Sequence, residues 1–256
     1  MNAPSPALTP AMVGRVLDQI RARAPRVHAL TNTVAQTLTA NVLLALGAVP
    51  SMTVAADEVR AFTATADALL VNLGTLDDER RRSMPLAIEA AQSCKRPFVL
   101  DPVFVDRSPE RAAFAQALIG LSPTVLRVNP DELTALSPKA IGPAEMAETG
   151  PVVAVTGATD RVFGPGRLTA ALANGHPLLS KTTATGCAGG AVIAASVAVS
   201  NNVFSGVCAG LSIFNIAGEI AAERARGPGS LVPELLDALY GLCAADIAAR
   251  LKTEPA

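Results

Sequence analysis

"RVHALTNTVAQTLTANVLLALGAVPSM", residues 26–52, changes periodicity twice in one short stretch. Residues 26–30 are an apolar run that stops at Thr31, Asn32 and Thr33, the signature of a strand ending in a turn. Residues 35–46 carry apolar side chains at helical spacing and close at Gly47, which tolerates the left-handed backbone of a helix end. Residues 48–52 are apolar and extended again. A strand, a helix and another strand joined by short turns make a crossover unit, and such a unit brings its two strands together in parallel.

The unit recurs along the chain. "DALLVN" (67–72), "PFVLD" (97–101), "VLRVN" (125–129) and "VVAVT" (152–156) are further apolar runs, separated by helical stretches at 77–92 and 109–120. Runs of this kind, without polar alternation, belong to strands covered on both faces. The predicted fold is α/β, a mostly parallel central sheet with helices on both faces. Thr9-Pro10 reads as N-cap and first position of a helix through about Ala24. Residues 161–175 read as a hairpin turned at Gly164, Pro165 and Gly166, and three helices follow, about 187–200, 203–225 and 233–250. With no linker or repeat, residues 1–256 are expected to form a single domain, with 1–8 as a disordered tail.

Composition narrows the partners. A formal net charge of -1 and a pI near 6.1 provide no basic footprint for nucleic acid or an anionic membrane surface, which favours a small molecule. Cys94, Cys187, Cys208 and Cys243 are widely spaced without a C-x-x-C, so a reduced, cytoplasmic chain is expected. The opening "MNAPSPALTP" has no secretory pattern. From Thr182 to Gly218 no residue is charged, yet Asn201 and Asn202 divide the run into pieces of roughly 13 and 16 residues, short of the roughly 20 that span hydrocarbon. Two buried helices are expected there.

Open parallel sheets bind ligands beyond the carboxyl ends of their strands. Thr31–Thr33, Asn72 and Gly74, Asp101, Asn129–Glu132 and Thr156-Gly157 all fall there. The Asn129-Pro130-Asp131-Glu132 run reads equally as a capping box or as a pair aimed at a metal-bound phosphate. Arg127 lies inside a strand, where a guanidinium is costly unless paired, and an anionic ligand would pair it. In "KTTATGCAGG" (181–190) small residues around Gly186 allow close approach, and the following helix start favours an anion. The stretch lacks both the Walker-type and the dinucleotide glycine patterns. Cys187, at that helix start, reads either as a buried thiol or as a reactive group.

The runs "VHALTNTVAQTLTANVLLALGAVPSM", "ALLVNLGTL", "VLDPV", Arg127-x-Asn129-x-x-Glu132, "VVAVTG" and "NGHPLLSKTTATGC" resemble, in order and over roughly residues 12 to 220, the hydroxyethylthiazole kinases of thiamine salvage, in the ribokinase-like superfamily. The resemblance implies ATP- and Mg2+-dependent phosphorylation of the hydroxyl of 4-methyl-5-(2-hydroxyethyl)thiazole by a homotrimer with sites between subunits. It implies Cys187 as the catalytic residue, and Met52, Asn32, Ala184 and Gly186 around the substrate. Arg127, Thr156 and Asn129 would hold ATP, with Asp101 and Glu132 at the metal. Where the family usually has glycine this chain has Phe104, Val128 and Ala184, and Asp106-Arg107 stands where small residues are usual. Phe104 and Ala184 are expected to narrow the pocket. Another small alcohol, an ATP-dependent dehydration, or ligand binding without turnover are the rival readings.

Overall fold

The computed structural model describes residues 8–137 and 141–255. In chain order the elements begin with α1 (Pro10–Arg23), β1 (Arg26–Leu30), α2 (Gln36–Leu46), β2 (Val49–Ser51), α3 (Val59–Thr65), β3 (Ala68–Asn72), α4 (Asp78–Ser93), β4 (Phe98–Asp101), α5 (Pro109–Ile119) and β5 (Val125–Val128). They continue with α6 (Pro130–Leu136), α7 (Pro143–Thr149), β6 (Val152–Val155), β7 (Asp160–Gly164), β8 (Leu168–Leu172), α8 (Thr185–Val199), α9 (Val203–Arg224), α10 (Pro228–Gly241), α11 (Ala244–Arg250) and β9 (Thr253–Glu254). The strands form one sheet in the order β2-β1-β3-β4-β5-β6-β7-β8-β9. The first six strands are mutually parallel, and β7, β8 and β9 add antiparallel at one side.

Strand parity sorts the core into two layers. Ala68 and Leu70 of β3, Val99 of β4, Val125 of β5 and Ala154 of β6 join one apolar cluster with α1, α2, α8, α9 and α10. Their neighbours Leu69, Val71, Leu100, Leu126 and Val153 join the other, with Met84 and Ile88 of α4 and Leu118 of α5. Side chains alternate faces along a strand, so an all-apolar strand requires helices on both sides. The predicted fold class is the one observed.

Local chemistry sets the boundaries. Thr9 caps α1 through the Met12 amide, and Gly47 closes α2 at φ 98°. The hairpin turns at Gly166, φ 68°. The expected helix over 233–250 is two helices, because Cys243 leaves the helical backbone and Asp246 caps its amide at 3.0 Å. The helix expected from 187 begins at Thr185. Helices α3 and α7 and strand β9 are additions to the sequence reading. Residues 1–7 of the expected tail lie outside the described residues, and Leu8 packs on the core rather than belonging to a tail.

Helix α9 is 22 residues long and apolar enough to cross a membrane by length and composition, but 83% of its apolar window is buried inside the fold. It lies against α8 at very short range. A Cβ on Gly210 would stand 2.9 Å from the Ile193 Cα, and one on Gly206 3.0 Å from the Val197 Cα. Glycine at these two positions lets the backbones meet.

Candidate functional site

Parity and register bring three strand-end residues into one row. Asn72 shares its face of β3 with Leu70, Asp101 its face of β4 with Val99, and Arg127 its face of β5 with Val125, all beneath α8. Asn72 is the direct partner of Asp101, and the β4–β5 pairing of Leu100 with Leu126 sets Asp101 beside Arg127. The row is hydrogen-bonded throughout. Asn72 Nδ2 donates to Asp101 Oδ2 at 2.7 Å and Arg127 Nη1 donates to Asp101 Oδ1 at 3.1 Å. Asn32, from the turn after β1, extends it: its Nδ2 donates to Asn72 Oδ1 and to Cys187 Sγ, each at 3.2 Å. One polar chain therefore runs from Arg127 to Cys187.

The sequence predicts an anionic ligand as the partner of Arg127; within the fold, Nη1 is already paired with Asp101. Burial works against the guanidinium's charge, but Asp101, Cys187, Asp160 and Glu132 together outweigh it and hold its pKa above the ordinary value. Burial pushes the Asp101 carboxyl up, with Arg127 and Asn72 opposing. The buried Nε of Arg127 has no hydrogen-bond partner among the described residues, nor has Thr182 Oγ1. An orphan buried donor costs free energy unless something arrives to bond it.

That something has a place to sit. Helix α8 starts after Ala184, which holds φ 70°, and no side chain caps it. The first amides of such a helix have no internal partner and form an anion site. Gly186 keeps the approach open, since a Cβ there would stand 3.3 Å from Arg127 Nη2. Arg127, Thr156 and Gly186 share the wall of a cavity of about 530 Å³ whose other walls come from α9, the Gly157–Asp160 turn and residues 174–180. This volume suits a small-molecule ligand.

Cys187 lies one residue further along α8, half-buried. Burial raises its pKa, Asp101 adds to the rise, and the amides of Asn72 and Asn32 and the Arg127 charge work against it. The thiol is therefore held largely protonated at neutral pH. Met52, at the end of edge strand β2, is half-buried against the core and stands outside both the cavity wall and the polar row.

Asn129 and Glu132 make the capping box of α6. Asn129 Oδ1 accepts from the Glu132 amide at 2.8 Å, and Glu132 Oε2 accepts from the Asn129 amide at 2.9 Å. Glu132 Oε1 accepts from the Phe104 amide at 3.0 Å, which ties the turn after β4 to the start of α6. Burial raises the Glu132 pKa, and Asp101 adds to the rise. Among the described residues no three His, Cys, Asp or Glu side chains gather into a metal cage. A magnesium ion needs none, because it binds through one or two carboxylates, substrate phosphates and water. Glu132 fits, since a carboxylate keeps further lone pairs after two hydrogen bonds. Asp101 fits less well as a direct ligand, with no exposed surface and both oxygens bonded.

The departures from glycine show in the backbone. Phe104 and Ala184 hold left-handed φ of 62° and 70°. Phe104 is 59% exposed and outside the cavity wall, so it does not narrow that cavity. Sequence reasoning passed over Asp160 and Asn215, because nothing in their spacing links a strand residue to one in the middle of a helix 55 positions away. Asn72 was visible only as one strand-end polar residue among several.

The family described as "HK: Hydroxyethylthiazole kinase family" matches residues 17–144 and 139–245. A probable hydroxyethylthiazole kinase of Agrobacterium fabrum is 42% identical over 239 residues, 93% of each chain. A hydroxyethylthiazole kinase of Klebsiella pneumoniae is 42% identical over 250 residues, 91% of this chain and 96% of that one. Among solved structures, a hydroxyethylthiazole kinase from Pyrococcus horikoshii superposes with a TM-score of 0.88 at 38% identity, over 95% of this chain and 98% of that one. A pyridoxal kinase from Staphylococcus aureus shares the ribokinase-like fold at 16% identity and a TM-score of 0.59, over 76% of this chain and 88% of that one. This chain belongs to the hydroxyethylthiazole kinase family.

Proposed function

We propose that this kinase transfers the γ-phosphoryl group of ATP to the primary hydroxyl of 4-methyl-5-(2-hydroxyethyl)thiazole. The observation that carries the reading is the continuous row Arg127–Asp101–Asn72–Asn32–Cys187, which joins an open helix N-terminus and a cavity at one end to a shielded thiol at the other. Phosphoryl transfer is mostly positioning and charge stabilisation, and the site is built for both. The α8 amides and Arg127 would take the γ-phosphoryl charge, with the orphan Nε as one donor. Thr156 and Asn129 flank the nucleotide, and Gly186 and Ala184 bring α8 close to the reacting groups. A magnesium ion bound with ATP would neutralise charge on the β and γ oxygens, and Glu132 is the carboxylate suited to hold it.

Cys187 Sγ orients the substrate hydroxyl for in-line attack, with Asn32 fixing the sulfur. A largely protonated thiol is a weak base, which suits a loose transition state. Met52 and the turn after β1 shape the thiazole side. Val34 before α2, Leu44 on α2 and Val49 on β2 are exposed apolar residues that would suit contact with a neighbouring subunit, and the proposed assembly is a homotrimer in which that neighbour completes the thiazole side. The protein acts in the cytoplasm as a single domain, with small molecules as its partners and neither nucleic acid nor membrane required. A coupled ADP-release assay with the thiazole alcohol tests the reading. Turnover that requires both the alcohol and magnesium is expected. Turnover only with another alcohol moves the substrate, and ligand binding without ADP formation overturns the kinase reading.

A further inference from the structure

Besides Arg127 and the α8 amides, the cavity wall includes an apolar part formed by Pro177, Leu179, Leu211 and Phe214. Asn215, on α9 directly after Phe214, is a polar residue beside it. Its Nδ2 donates to Asp160 Oδ2 at 2.7 Å, while Asp160 Oδ1 accepts from the Gly157 amide at 2.9 Å. A carboxylate only accepts, so this bond holds the Asn215 amide with its nitrogen toward Asp160 and leaves Oδ1 as the polar atom to meet the cavity. Asn215 Oδ1 accepts no hydrogen bond among the described residues.

Neighbouring polar side chains on the wall are already engaged. Asn174 donates to Glu219 and the Arg250 carbonyl and accepts from the Lys252 amide. Ser180 Oγ donates to the Pro177 carbonyl, Thr185 Oγ1 to those of Leu179 and Thr182, and His176 Nδ1 accepts from the Leu178 amide. Asn215 Oδ1 is thus a side-chain oxygen on this wall that makes no hydrogen bond within the described residues.

We infer that Asn215 reads the base of the nucleotide, presenting a fixed acceptor that suits an exocyclic amino group, as at the 6-position of adenine, and disfavours a carbonyl oxygen there. Asp160 is the positioning residue that prevents the amide from turning over. The inference rests on the reading that the cavity takes the nucleotide. Its energetic basis is the cost of setting one acceptor against another once the bound base excludes water from both.

Inosine diphosphate isolates the contact, because it replaces the 6-amino group of ADP by a carbonyl and shifts a proton to N1. Titration calorimetry of ADP and inosine diphosphate with magnesium, on the full chain, is expected to show ADP bound at least tenfold tighter. Asn215→Ala should bring the two within about threefold. Asp160→Asn, which leaves Asn215 in place but frees its amide to turn, should shrink the ratio at least threefold. A wild-type ratio near one overturns the inference, even if neither variant folds. A tenfold preference that survives Asn215→Ala also overturns it, and one that survives Asp160→Asn overturns the tether. Equal, tight binding of both nucleotides removes this inference alone, whereas no binding of either removes the proposed function with it.

Discussion

Truncating Cys187 separates an orienting thiol from a catalytic base. Burial, with Asp101 adding to it, pushes the thiol pKa above its ordinary value, so the group stays largely protonated at pH 7. Sγ accepts from Asn32 at 3.2 Å and would meet the substrate hydroxyl with its remaining capacity. Losing one neutral hydrogen bond of this sort costs about 0.5–1.5 kcal/mol, which converts to a fall in kcat of roughly 2- to 13-fold. A general base would be worth about 10² to 10⁴. Steady-state ADP release is to be measured between pH 6 and 9 for wild type, Cys187→Ala and Cys187→Asp. The expected result is a wild-type kcat that does not track thiolate formation, and an alanine variant slower by the smaller factor at every pH. The aspartate, an ionised acceptor within reach of Asn32, should match or exceed wild type. A wild-type kcat rising tenfold per pH unit, with the alanine variant down more than a hundredfold, would refute the orienting role. An alanine variant equal to wild type throughout makes Cys187 a packing residue.

Glu132→Gln leaves one acceptor oxygen where two amides now bond, so one amide loses its partner at about 1–3 kcal/mol. Calorimetric melting should show that loss together with at least tenfold lower turnover, and unchanged turnover would leave Glu132 with the helix cap alone. Ala184→Gly and Phe104→Gly each relieve a left-handed backbone worth about 1–2 kcal/mol, less the roughly 0.5–1 kcal/mol of freedom that glycine loses on folding. Each should raise Tm slightly, and a lower Tm for both would show that their side chains contribute more than their backbones cost. His28 is fully buried, and burial lowers its pKa from 6.5 to about 4. The unfolded chain takes up that proton first, so stability from this group is complete above pH 6.5 and falls by about 3 kcal/mol as pH drops to about 4. Urea titrations of wild type and His28→Gln over this range should differ by that slope, and parallel curves would rule it out.

The amino-acid sequence alone sets the βαβ order, because an apolar run without polar alternation, as in residues 68–71, can be stable only between two helical layers. It also determined the turns that close α2 and open α6, since Gly47 and the Asn129–Glu132 box act within a few residues of chain. Strand-end chemistry was legible at Asn72, Asp101 and Arg127 as residue types in the right places. Which of them meet was not. Register across three strands set Asp101 between Asn72 and Arg127, so the guanidinium that seemed to need an outside anion has an internal partner at Nη1 and keeps Nη2 and Nε for a ligand. Cys187 acquires its raised pKa from burial and from Asp101, 86 positions earlier in the chain. The tether of Asn215 to Asp160 joins the second half of the sheet to the middle of α9. Local rules decide structure where the partners are a few residues apart, whereas contacts across tens of positions depend on register and helix docking, which the whole packed chain decides at once.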